Sequence, residues 1–167
     1  MAGQIIPTMK IFQTLQDVAA CIGQEVATSD WTTITQAQIQ QFADATGDHQ
    51  WIHVDVERAK AGPFGAPIAH GFLTLSLIPK FFADAMDITE TRMGVNYGLN
   101  KVRFTSPVPV NSELRGRFKL VSIEDIANNG AQVTMEVTIE RKGGDKPVCI
   151  AESISRFRAA GIRPGML

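Results

Sequence analysis

One segment of this chain carries apolar residues on nearly every side of a helix. Between Gly71 and Met86 these residues surround the helical wheel, and they are Phe72, Leu73, Leu75, Leu77, Ile78, Phe81, Phe82 and Met86. A helix of this kind has to be buried inside its own domain. Its polar residues and its length rule out a membrane span, and Pro79 predicts a kink or a break within it.

From residue 93 onward the hydrophobic period changes to two, which is typical of strands. We predict strands at 93–98, 100–105, 112–122, 133–139 and 148–158, with turns at Asn128-Asn129-Gly130 and Gly143-Gly144. One buried helix followed by antiparallel strands indicates an α+β fold. The 167 residues fit a single domain, with a core of about 12–158 and loose segments at 1–10 and 159–167.

The first third of the chain predicts mainly helices. Helical spacing of apolar residues indicates a helix over 11–22, and a short strand follows at 31–34. Thr35 and Gln38 form a capping-box pattern for a helix that ends at Gly47. Residues 48–53 are then expected to be a connector, and Asp55 is expected to cap a short helix that reaches Ala61.

The charge pattern excludes several kinds of partner. The net charge is −1 and the sixteen Lys and Arg residues are scattered, which argues against nucleic acid and against an anionic membrane. The start of the chain shows no signal-peptide pattern. Cys21 and Cys149 are isolated, so we interpret them as free thiols in a reducing compartment and expect a cytoplasmic protein.

Two motifs concentrate the chemically useful residues. The first is Ala45-Thr46-Gly47-Asp48-His49-Gln50-Trp51-Ile52-His53, and the second is Ile68-Ala69-His70-Gly71-Phe72-Leu73. Together they resemble the hydratase-2 motif of MaoC-like (R)-specific enoyl-CoA hydratases. The segment from Asn96 to Phe104 is similar to the small, NodN-like members with a single hot-dog domain. The resemblance covers about residues 12–158.

This resemblance implies a hot-dog fold, in which an antiparallel sheet wraps a long central helix. It also implies a homodimer whose sheets pair edge to edge, and an acyl-CoA substrate with no other cofactor. Asp48 and His53 would be the catalytic pair, and the backbone N–H of Gly71 would hold the enolate oxygen. Which of Asp48 and His53 acts as the base stays open.

The residue types suit the addition of water to an enoyl thioester. Free water has a pKa of about 15.7, so it needs a positioned base as it attacks the β-carbon. General acid–base catalysis of this kind contributes about 10²–10⁴ in rate. If one water is held by both Asp48 and His53, its oxygen and a proton would add to the same face of the double bond. Gly71 lies in the first turn of the buried helix, where an N–H is uncommitted.

Other residues are candidates for substrate contacts. Many family members have Asn-Pro where this chain has Gln50-Trp51, and some have serine in place of Pro79. For the acyl pocket the candidates are Gln50, Trp51, His70, Phe72, Asn96 and Tyr97. For the CoA phosphates, Lys101 and Arg103 are the candidate cations.

Each feature also has a plainer interpretation. Asp48 could be a turn residue, His53 a half-buried histidine, and His70 a residue that only orders its loop. Asp48 and the three histidines could hold a metal, but Gly47 and the connector interrupt any helix that could present an HxxxH pair, so we predict no metal site. A hot-dog thioesterase and a non-catalytic acyl-CoA-binding dimer remain the alternative functions.

Overall fold

The computed structural model describes residues 9–160, and the predictions for residues 1–8 and 161–167 lie outside that range. In chain order the elements are β1 (Lys10–Phe12), α1 (Leu15–Ala19), β2 (Glu25–Thr28), β3 (Thr32–Thr33), α2 (Gln36–Thr46), α3 (Trp51–Val54), α4 (Val56–Lys60), α5 (Gly71–Ser76), α6 (Ile78–Ala85), β4 (Met86–Ile88), β5 (Thr91–Phe104), β6 (Glu113–Ile126), β7 (Gly130–Arg141) and β8 (Cys149–Ala159).

Most strands belong to one antiparallel sheet. Its order is β2-β6-β7-β8-β5, and β3 also pairs with β6. The separate pair β1–β4 is parallel. Helices α5 and α6 contact strands β8 and β6 of the large sheet, so the predicted α+β class is confirmed.

The central apolar segment is two helices rather than one. Helix α5 ends at Ser76 and α6 begins at Ile78, with Pro79 in its first turn. Proline has no N–H to donate and is tolerated in a first turn, so the predicted break at this position is confirmed. Met86 lies outside the helix, because it begins β4.

Helix α6 lies against the sheet through aromatic side chains. A methyl group on Gly116 of β6 would lie 2.9 Å from Cβ of Phe81, so the glycine allows this close approach. Phe82 contacts Phe118 and Phe157, with ring centroids 5.7 and 5.8 Å apart. The expectation of burial on all sides was wrong at Phe72, whose exposed fraction is 68%.

Strand β5 is a single edge strand. The sequence predicted two strands at 93–98 and 100–105, but Thr91–Phe104 pairs with β8 along its length. The register shifts between Asn96 and Gly98 and again between Leu99 and Lys101. At these irregularities, one of which precedes Gly98, the strand continues to pair with β8, as strands do at β-bulges.

The predicted helix over 11–22 was wrong at its start. Residues 10–12 form β1 instead, and Phe12 pairs with Ile88 of β4. The helix begins only after Thr14, whose side chain accepts a hydrogen bond from Asp17 N while Asp17 caps Thr14 N. Local capping and a distant strand partner therefore outweigh the helical spacing of the apolar residues.

Both predicted turns are present. Asn128 and Asn129 have φ values of 61° and 58° between β6 and β7, and Gly143 has a φ of 73° between β7 and β8. Asparagine and glycine tolerate this left-handed region. Within residues 9–160, none of the helices is both long enough and apolar enough to cross a membrane.

Candidate active site

Helix α2 delivers Asp48 to the site. The reciprocal capping box of Thr35 and Gln38 starts this helix, and Gly47 ends it in the left-handed region with a φ of 79°. Both boundaries were predicted. The expected connector is shorter than predicted, because His53 lies on the one-turn helix α3. Asp55 caps the following helix through Arg58 N, as predicted.

His53 is a buried imidazole with a defined orientation. Its side chain is only 6% exposed, and Nδ1 lies 2.6 Å from the carbonyl oxygen of Ile68. A carbonyl can only accept, so Nδ1 carries the proton and Nε2 presents a lone pair. Burial lowers the pKa of His53 below its ordinary value of 6.5 despite the opposing effect of that hydrogen bond. The ring is therefore neutral at pH 7 and able to accept a proton.

His70 connects the second motif back to the first. Its Nε2 donates to the backbone carbonyl of Asp48 at 2.9 Å, and its ring stacks on that of His53 with centroids 3.8 Å apart. Ile68 N also donates to the carbonyl of Ile52 at 3.0 Å. Each motif thus provides a histidine that donates to a carbonyl of the other motif. The ring of His70 is thus bonded to the backbone of Asp48 and stacked on the ring of His53.

The Asp48 carboxylate lies at the entrance of this arrangement. Its side chain is 52% exposed, and Oδ1 accepts a hydrogen bond from Gln50 N at 3.3 Å. One oxygen of Asp48 and one ring nitrogen each of His53 and His70 lie within 4.8 Å of one another. Two hydrogen bonds of about 2.8 Å span up to about 5.6 Å. A single water can therefore contact both Asp48 and His53.

The same three side chains are the natural test for a metal site. The nitrogen of His70 that lies 4.0 Å from the Asp48 carboxylate is Nε2, and it already donates to a carbonyl. A nitrogen that carries a proton cannot bind a metal, so this ring would have to change tautomer. The observed hydrogen bonds suit proton transfer better than they suit metal binding.

A cavity of about 360 Å³ lies beside His53. His53, Gly71, Thr74, Phe64 and Phe104 are among the residues that line it. Gly71 is the first residue of α5, so its N–H has no acceptor within the helix. The sequence did not single out Phe104, because nothing in the spacing shows that residues 71 and 104 meet.

Gln50 and Trp51, the candidates for the acyl pocket, lie away from the cavity beside His53, and their role stays a prediction. A methyl group on Gly62 would lie 2.9 Å from the Trp51 ring, and the Arg58 guanidinium lies 4.3 Å from the ring centroid. Trp51 is thus packed on the segment around α4, and neither it nor Gln50 lines the cavity beside His53. Gln50 is exposed and meets Asp48 through its backbone.

The other pocket candidates lie along the seam between the helices and β5. Phe72, Asn96 and Tyr97 line a neighbouring cleft, and Asn96 also lines an apolar cavity of about 270 Å³ under α6. Lys101 is exposed on β5, while Arg103 donates to the carbonyl of Val102. These positions are compatible with an extended ligand, and the roles of the two cations stay predictions.

Comparison with known proteins places this geometry in a family. The MaoC-like domain matches residues 17–142. A 3-hydroxyacyl-thioester dehydratase Z of Mycobacterium tuberculosis is 52% identical over 151 residues, which are 90% of this chain and all of that protein. Nodulation protein N of Rhizobium leguminosarum is 47% identical and covers 85% of this chain and 89% of its own length.

Solved structures agree on the fold. A monoamine oxidase regulatory protein from Archaeoglobus fulgius superposes with a TM-score of 0.72 at 25% identity, over 92% of this chain and all of that one. The (R)-hydratase PhaJ1 from Pseudomonas aeruginosa gives 0.60 at 24% identity, over 87% and 92% of the two chains. The hot-dog prediction is confirmed, and the chain belongs to the MaoC-like dehydratase family.

Proposed function

We propose that this protein is a hydro-lyase that interconverts trans-2-enoyl-CoA and (R)-3-hydroxyacyl-CoA by adding or removing water. The observation that carries the proposal is the orientation of His53. Its Nδ1–H is committed to the Ile68 carbonyl, which leaves Nε2 as the unprotonated acceptor, and one nitrogen of the ring lies within 4.8 Å of an Asp48 carboxylate oxygen. The 52% identical dehydratase supports a 3-hydroxyacyl thioester as the substrate class.

The hydration step needs three events at one place. A water held between Asp48 and His53 gives up a proton to this pair as its oxygen bonds to the β-carbon. The electron pair of the double bond moves toward the thioester, which becomes an enolate. Asp48 and His53 then return a proton to the α-carbon, and the water oxygen and this proton arrive on the same face of the double bond.

The developing enolate needs a hydrogen-bond donor that is already in place. We assign this role to the N–H of Gly71, at the start of α5 and in the cavity that His53 also lines. Removal of one preorganised donor of this type lowers kcat by a factor of about 10²–10³. The reaction needs no metal or redox cofactor in this scheme, and activity that survives thorough chelation would support that part.

The working form of the enzyme is proposed to be a homodimer. Strand β5 lies at the edge of the sheet and pairs only with β8 among the described strands. Its exposed apolar side chains are Met93, Val95, Tyr97 and Leu99. An edge of this length with apolar side chains favours pairing with a second copy through a two-fold axis.

We also propose a cytoplasmic location for the protein. Cys21 and Cys149 are free thiols, which is usual for proteins of a reducing compartment.

The decisive experiment is hydration of crotonyl-CoA and of a longer enoyl-CoA. We expect Asp48→Asn and His53→Gln each to lower kcat/KM by at least about 10² while the far-UV CD spectrum stays unchanged. The matched controls are Asp44→Asn and His49→Gln, an exposed pair joined at 3.0 Å whose two members lie on either side of Asp48 in the sequence. These controls should stay within about twofold of wild type.

The assay also separates the competing functions. Loss of the enoyl absorbance without thiol release is the expected result. Thiol release without hydration would indicate a thioesterase, and ligand binding without turnover would indicate a binding subunit. Near-wild-type rates in both Asp48→Asn and His53→Gln would contradict the catalytic assignment.

A further inference from the structure

Phe104 is an exposed aromatic residue to which the proposed mechanism assigns no role. It is the last residue of β5, its exposed fraction is 45%, and it lines the cavity that also contains His53 and Gly71. Exposed aromatic surface is costly in water, and rigid aromatic rings are typical contacts for ligands. The ring is therefore placed where a bound thioester would meet it.

Two neighbours hold the ring of Phe104 in place. A methyl group on Gly71 would lie 2.9, 3.0 and 3.0 Å from three carbons of the ring, so the ring packs directly against the glycine backbone. The Phe72 ring meets it edge-on, with centroids 5.9 Å apart and planes 69° apart. A ring supported from two sides gives up little further freedom when a ligand binds.

We propose that Phe104 positions the substrate, because its ring is the wall on which the planar enoyl thioester lies. This inference rests on the proposed function. The conjugated C=C–C=O unit is flat, whereas the saturated acyl thioester turns freely about the same bond. An aromatic wall therefore favours the conjugated form. The ring packs against the Cα side of Gly71, the residue whose N–H we assign to the enolate.

The first test uses turnover of crotonyl-CoA, whose acyl chain is too short to depend on a distant pocket. We expect Phe104→Ala to lower kcat/KM by about 10–100-fold, since small misplacements of reacting groups have effects of this size. Phe104→Leu keeps the bulk but not the flat ring, so it should fold like wild type and still lose about tenfold. Ile22→Ala, another exposed apolar side chain, is the control and should change little.

The second test separates positioning from stability. Binding of crotonyl-CoA and of saturated butyryl-CoA is compared in Asp48→Asn and in Asp48→Asn/Phe104→Ala, where turnover is slowed at least about 10²-fold, so binding is measured before the substrate is consumed. We expect a preference for crotonyl-CoA that falls about three- to tenfold when the ring is removed, the range for one aromatic contact. A purely structural role would weaken both ligands equally.

The outcomes are distinguishable. If wild type hydrates crotonyl-CoA and both Phe104 variants keep wild-type rates and an unchanged binding ratio, the role of Phe104 is refuted. The same holds if the variants lose activity only through dissociation of an oligomer, measured by light scattering. A wild-type protein that hydrates neither crotonyl-CoA nor a longer enoyl-CoA would instead refute the proposed function.

Discussion

The contact between Gly71 and Phe104 leads to a prediction in which one substitution changes sign. Carbon atoms that are not bonded prefer separations of about 3.5–4.0 Å. In Gly71→Ala the new methyl would lie 2.9–3.0 Å from the Phe104 ring, so the ring or the helix has to move by about 0.5–1 Å. Overpacking of this kind lowers the free energy of unfolding by about 1–3 kcal/mol.

Without the ring, the same methyl group meets no obstacle from residue 104. Alanine is a better helix former than glycine by up to about 1 kcal/mol, and Gly71 is the first residue of α5. We therefore expect Gly71→Ala to destabilise the wild type by about 0.5–2 kcal/mol, after that helical gain is subtracted. In a Phe104→Ala background the same change should be neutral or slightly stabilising.

The measurement is a double-mutant cycle by urea unfolding at one protein concentration, because an oligomer's apparent stability depends on concentration. The coupling between the two positions should reach at least about 0.5 kcal/mol. Gly98→Ala is the matched control, since a methyl group there meets no atom within 4 Å. It should have the same effect with and without Phe104. An equal loss from Gly71→Ala in both backgrounds would refute the reasoning.

Three further predictions concern protonation, buried polarity and assembly. Because the folded pKa of His53 lies below its unfolded value, the unfolded chain binds more protons between the two. The urea midpoint should therefore fall as the pH drops below about 6.5, whereas kcat/KM should fall only as the pH passes the lower pKa of folded His53. His53→Gln should remove the His53 contribution to both, and a rise in either quantity would contradict the reasoning. Thr74 is 2% exposed and its hydroxyl has no partner among the described residues. Thr74→Val should raise the unfolding free energy by about 1 kcal/mol, and a comparable loss would show that the hydroxyl is paired. Leu99→Lys should shift the protein from dimer to monomer in light scattering, whereas Val121→Lys on β6 should not.

The sequence predicted those parts of the fold that short-range chemistry determines. The capping box at Thr35, the left-handed Gly47, the Asp55 cap and the break at Pro79 each depend on residues within a few positions. The hairpin at Asn128 is of the same kind. These signals act through local backbone geometry, so they survive whatever surrounds them.

Contacts between distant residues are what the sequence did not reveal. Phe12 joins a strand because Ile88, 76 residues later, provides the partner. Trp51 packs on Gly62, eleven residues later, and does not line the cavity beside His53. Phe104 reaches the site only because the end of β5 lies against the start of α5. Periodicity within a window contains no information on such pairs.

Two histidine hydrogen bonds join the two motifs, and they explain why neither motif is informative alone. His53 takes its orientation from the carbonyl of Ile68, and His70 holds the carbonyl of Asp48. If the second motif were absent, His53 would be a histidine in an ordinary helix turn with no preferred tautomer. If the first were absent, His70 would have no carbonyl to bond. The spacing of about seventeen residues matters because both bonds have to form at once, and that requirement fixes which nitrogen of His53 carries the proton and which is left as an acceptor.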